Sequence, residues 1–140
     1  MVRISIPPTW RTRVDRYRLK ATRCRDCGRT GYPPSELCRF CGSRNTETVE
    51  LIDERAKLIT WTVIYNAMDG FEERRPVIIG ILETLHHKTR ILAPLTDVLP
   101  EELRSGMEME PVLRRITEEG ESGLINYGIA YRPVLKKVEQ

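Results

Sequence analysis

All four cysteines of this 140-residue chain lie in one stretch, CRDCGRTGYPPSELCRFC, from Cys24 to Cys41. The spacing is Cys24-x2-Cys27, ten residues, then Cys38-x2-Cys41, and a glycine follows each pair: Gly28 and Gly42. A chain that turns sharply around a metal, with its amides facing the thiolates, needs positive φ at such positions, and glycine accepts it without cost. Two CxxCG knuckles therefore predict one four-thiolate site. Four thiolates suit tetrahedral zinc, and iron takes the same ligands. A four-cysteine site has no open position for water or substrate, so the metal is expected to be structural. A redox dithiol is the weaker reading, because the two pairs match as one ligand set. Tyr32-Pro33-Pro34 stiffens the loop between the knuckles. The module, about residues 22–45, is too small to bury a useful core alone, and a metal supplies the staple it needs.

Residues 1–21 read as an amphipathic helix. Thr9 is a plausible N-cap after Pro7 and Pro8, and Trp10, Val14, Tyr17 and Ala21 recur at i, i+4, i+7 and i+11. The stripe either packs on the protein's own ribbon or docks on a partner through Trp10, Val14 and Tyr17. Residues 46–140 carry β signals. LITWTVIYNA (58–67) places Ile59, Trp61, Val63 and Tyr65 on one face by alternation. VIIGILETL (77–85), RILAPLTDV (90–98), MEMEPVLRRIT (107–117) and LINYGIAYRPV (124–134) are four more strand candidates, with HHK as a turn and a short helix at 100–106. Five strands with a short helix between the third and fourth predict a small closed barrel of the OB-fold kind. The fold class is mainly β: an N-terminal helix, a metal ribbon and a five-stranded barrel.

Charge is uneven. Residues 1–45 hold eleven Lys or Arg against three Asp or Glu, and the remainder holds twelve against seventeen. The basic end predicts contact with something acidic, or attraction between the two halves of one molecule. The longest strongly apolar run, Val77 to Leu82, is too short to cross a bilayer. MVRISIPP lacks the apolar core of a secretory signal, and clustered cysteines without one point to a reducing, cytoplasmic setting. No GxSxG elbow, P-loop or GxGxxG occurs. With every cysteine committed to metal, no thiol remains as a nucleophile. His86 and His87 fall in a predicted exposed turn without evident catalytic partners. A binding or scaffolding protein is expected rather than an enzyme.

The segments RYRLKATRCRDCG, GYPPSELCRFCGS, LITWTVIY, GFEERRPVIIGILE and GLINYGIAYRP, in this order, resemble the DUF35 family over roughly residues 8–133. The resemblance implies a rubredoxin-like zinc ribbon followed by an OB-fold, with Cys24, Cys27, Cys38 and Cys41 binding zinc. It implies association with thiolase-superfamily enzymes. Archaeal members bridge acetoacetyl-CoA thiolase and hydroxymethylglutaryl-CoA (HMG-CoA) synthase and channel acetoacetyl-CoA in the mevalonate pathway, with a shared coenzyme A site. Bacterial relatives pair with thiolase-like aldol lyases. Coenzyme A needs cations for its phosphates and a narrow apolar slot for pantetheine. Gly70, Phe71, Arg74 and Arg75 of the GFEERRP loop offer these, with Tyr65 and Tyr127 beside them; the same residues also suit ordinary barrel core and rim. The sequence departs from many relatives in having Arg39 after the third cysteine, where they carry proline, and Ser35 after Pro34, where they carry a basic residue. Two other functions compete: a single-stranded nucleic-acid-binding protein, disfavoured by only nine aromatics and an acidic barrel segment, and an independent acyl-CoA enzyme, for which no nucleophile is visible.

Overall fold

A computed structural model describes residues 5–66, 76–118, 121 and 123–135. Two short helices, α1 (Ile6–Arg11) and α2 (Arg13–Tyr17), open the chain. A three-stranded antiparallel sheet follows, ordered β2-β1-β3, from β1 (Lys20–Cys24), β2 (Thr30–Gly31) and β3 (Thr46–Glu50). Five further strands close a barrel: β4 (Ala56–Ile64), β5 (Val77–Thr84), β6 (Arg90–Leu95), β7 (Glu108–Glu118) and β8 (Ile125–Pro133). Their order, β4-β5-β6-β8-β7 and back to β4, is that of a five-stranded OB-fold. The mainly β architecture expected from the sequence is present.

The single helix expected through Ala21 is not. The Thr12 hydroxyl donates to the Pro8 carbonyl (2.9 Å), a local bond that competes with continued helix, and Thr12 leaves helical geometry. Tyr17 ends α2. Leu19 then takes a left-handed φ of 50° and turns the chain into β1. Ala21 is thus a buried strand residue, paired with Val49, and not the last member of a helical stripe.

Alternation along β4 is interrupted too. Leu58 pairs with Leu82 but Thr60 pairs with Ile81, so Ile59 is an extra residue, a β-bulge. The bulge shifts phase: Ala56 and Leu58 point into the core before it, and Trp61 and Val63 pack against the core after it. Such kinks add the twist a small barrel needs to close. Closure is completed where β6 meets β8 in parallel at Leu95 and Tyr131, with the Thr96 amide donating to the Tyr131 carbonyl (2.9 Å). The expected helix at 100–106 shrinks to one 3-10 turn, Pro100–Glu102, and Gly106 reverses the chain at a φ of 84°.

Ribbon and barrel share one core. Leu19, Ala21 and Leu51 from the ribbon side cluster with Leu58, Leu82, Ile91, Met109 and Tyr131 of the barrel. The Leu51 amide donates to the Leu19 carbonyl (3.0 Å), and the Leu85 amide to the Arg55 carbonyl (2.9 Å), which ties the joining segment to both parts. No helix among the described residues is long and apolar enough to cross a membrane.

Candidate functional site

The four cysteines come from two knuckles that have the same local geometry. The Gly28 amide donates to the Cys24 carbonyl (3.0 Å), and the Gly42 amide to the Cys38 carbonyl (2.9 Å). Both glycines take positive φ, 74° and 76°. These turns aim amides at sulfur: Cys27 N–H at Cys24 Sγ and Phe40 N–H at Cys38 Sγ, each 3.4 Å. The sulfurs lie 3.5 Å apart between Cys24 and Cys41 and 3.6 Å apart between Cys27 and Cys38, and all four fall within 4.8 Å of one another. A tetrahedral zinc with bonds near 2.3 Å needs sulfurs about 3.8 Å apart, so the set fits.

Electrostatics agree with a cation at the centre. The Cys41 and Phe40 amides hold the Cys38 thiol down to about 6. Cys41 goes the other way: the Ser43 amide lowers it, but the Cys24 sulfur beside it and burial prevail and push it up to about 12. Crowded thiolates cannot all ionise unaided, and a dication removes the conflict. Outside the sulfurs, the Asp26 carboxylate accepts from the Ser43 hydroxyl and from Asn45 Nδ2 (3.1 Å), which ties the first knuckle to the second. Arg39 donates to the Tyr32 and Pro33 carbonyls (3.0 and 2.7 Å) and lies so close over Gly31 that a Cβ there would come within 2.7 Å of its Nε.

The other expected site residues are placed differently. Gly70, Phe71, Arg74 and Arg75 lie outside the described residues. Tyr65 follows β4 and is 70% exposed; Tyr127 on β8 is also exposed, and no ring contact joins the two. Trp10, Val14 and Tyr17 are all exposed, and neither short helix has a buried residue. The Arg13 guanidinium lies over the Trp10 ring, 3.8 Å from its centroid, and donates to the Trp10 carbonyl (2.7 Å). The exposed-turn expectation holds for His86 but not for His87. The His87 ring sits 2.5 Å from Glu54 Oε2, while Glu54 Oε1 accepts from the amides of both histidines (2.9 Å). Glu54 lies in the segment between ribbon and barrel, and no local pattern announces a pairing across 33 residues.

The geometry defines a class: a zinc-ribbon and OB-fold protein. The family model of the ChsH2 rubredoxin-like zinc ribbon domain matches residues 11–47, and that of the ChsH2 C-terminal OB-fold domain matches residues 48–114. The chain is 41% identical over 127 residues to a DUF35 domain-containing scaffold protein of Pyrococcus furiosus, covering 91% of each chain. A protein of the same description from Methanocaldococcus jannaschii is 37% identical, over 90% of this chain and 89% of that one. The chain belongs to the DUF35 family. Among solved structures, the Ltp2-ChsH2(DUF35) aldolase matches in fold with a TM-score of 0.64 at 22% identity, over 95% of this chain and 98% of that one.

Proposed function

We propose that the protein is a non-catalytic scaffold subunit for acyl-CoA-processing enzymes. In this reading it bridges acetoacetyl-CoA thiolase and HMG-CoA synthase, thiolase-superfamily enzymes, and helps pass the acyl-CoA between them in the mevalonate pathway. The observation that carries it is the exposed stripe of Trp10, Val14 and Tyr17 on helices that bury nothing of their own. Aromatic residues of this kind are enriched where partners meet. Ile81 and Leu92, directly paired across β5 and β6 and both facing out, extend the apolar surface available to a partner. Relatives described as scaffold proteins, and a fold neighbour described as an aldolase with two named components, agree in kind.

Cys24, Cys27, Cys38 and Cys41 bind structural zinc in this account, which leaves the reactive thiol of thioester chemistry to the partner. Coenzyme A is then a shared ligand, held by Tyr65, Gly70, Phe71, Arg74, Arg75 and Tyr127. A single-stranded nucleic-acid role is less well supported. Arg18, Arg23 and Arg25 are answered by Glu50 and Glu47 of β3, so part of the basic excess is met within the ribbon.

Co-expression with a thiolase and an HMG-CoA synthase from the same genome, followed by size exclusion, tests the reading. One peak containing all three chains is expected, and Trp10→Ala with Tyr17→Ala should release this chain from it. Three separate peaks for the native sequences would contradict it.

A further inference from the structure

A cleft of about 870 Å³ opens between the ribbon and the β5–β6 turn, and positive charge dominates it. The ribbon wall supplies Arg23, Arg29 and Arg39. The opposite wall is the turn itself, with His86, His87, Lys88 and Arg90. No Asp or Glu among the described residues lines it. Two of these groups are already answered: Arg23 by Glu47 (2.9 Å) and His87 by Glu54. Arg90 has only a long contact to Glu83 (3.8 Å). Arg29, Arg39 and Lys88 have no carboxylate of a described residue within ion-pair distance. Arg29 is instead oriented by the Phe40 ring, 5.3 Å below it, and Arg39 by two backbone carbonyls. Lys88 holds a left-handed φ of 54°, which fixes its place at the corner of the turn.

Arg29 and Arg39 on one wall and Lys88 on the other, with no described carboxylate to satisfy them, raise the local potential and call for an external anion. Concavity and volume match a small molecule, since ligand pockets run to roughly 300–1,000 Å³. We propose that this cleft binds a small, multiply phosphorylated anion, with Arg29, Arg39, Lys88 and Arg90 on the phosphates and Phe40 available to a planar group. Guanidinium groups suit phosphate because their forked N–H groups match its oxygens. Its lining shares no residue with the coenzyme A contacts proposed above. Tyr65 follows the far end of β4, roughly 25–30 Å away by strand rise. The proposal stands whether or not that slot exists.

Calorimetric titration of the zinc-loaded full chain at low salt with tripolyphosphate, ATP and coenzyme A tests it. Saturable binding is expected for all three, with mutual competition. ATP binding tighter than tripolyphosphate would identify a nucleotide-type ligand, and coenzyme A binding tightest would identify that cofactor's phosphate end. Lys88→Asn keeps a residue that tolerates left-handed φ, and Arg90→Gln removes an exposed charge, so neither disturbs the core or the knuckles. Each should weaken binding by about tenfold. Absence of saturable binding would overturn the inference, as would affinities unchanged in both variants. Coenzyme A binding that survives these variants but is lost in Tyr65→Ala would uphold the other slot, and unchanged ATP and tripolyphosphate affinities in the same variants would overturn the cleft. Displacement of ATP by a single-stranded oligonucleotide at lower concentration than by ATP itself would reassign the face to nucleic acid.

Discussion

Gly80 lies on β5 against two buried leucines of the barrel interior. A Cβ there would come within 2.9 Å of Leu58 Cδ1 and 3.1 Å of Leu95 Cδ1, and both leucines are buried. Replacing glycine by alanine gains about 0.4–1 kcal/mol by restricting the unfolded chain. Overpacking a filled core costs about 1–3 kcal/mol. The cost wins, so Gly80→Ala should lower stability by on the order of 1 kcal/mol, read as a lower denaturant midpoint with an unchanged slope. Asp97 offers a test in pH. Its carboxylate accepts from Arg114 (2.7 Å), which holds it below the usual carboxylate range, with help from Thr96 and Arg132. A group depressed on folding contributes stability above its unfolded value, near pH 4, and the contribution is lost as pH falls through the folded value. Asp97 is 46% exposed, so the pair is worth no more than about 1 kcal/mol. Asp97→Asn should therefore lose less stability than the native chain between pH 7 and pH 3 in denaturant melts. Asparagine also tolerates the left-handed φ of 57° found there.

At the scale of elements, the ribbon is not an appendage. Leu19, Ala21 and Leu51 complete the barrel's core, so loosening the ribbon exposes barrel residues. Zinc contributes about 10–16 kcal/mol in comparable finger peptides, more than the stability of many domains. Stripping the metal with a chelator should lower the melting temperature of the barrel strands together with the ribbon in one transition. Cys38→Ser should do the same without chelator. A barrel transition left in place by either treatment would mean that the shared core is not cooperative.

These same elements show what the sequence could disclose. The five barrel strands were legible to within about three residues at either end because β-branched runs broken by turns give a strong local signal. The bulge at Ile59 was not, since an extra residue leaves an apparently unbroken apolar run. Ala21 was misread because one small apolar residue fits a helical stripe and an alternating strand equally well. The cysteine site was legible from spacing alone. The facing cations of the ribbon–barrel cleft were not, because Arg29 and Lys88 come together only when two elements 59 residues apart meet.

Over the whole molecule, metal and core assemble a rigid body that leaves its distinctive surfaces unused. The Trp10 helices and the outward Ile81–Leu92 pair face solvent, while the four cysteines face one another. Under the proposed function, the work of such a body lies in the enzymes it would hold. The most direct measurement is affinity purification of the tagged chain from its native cell, with the co-purifying proteins identified by mass spectrometry and their ratio determined. The account predicts a thiolase-superfamily enzyme in stoichiometric amount, with HMG-CoA synthase alongside it. Recovery of the chain alone, at the mass of a monomer, would contradict it.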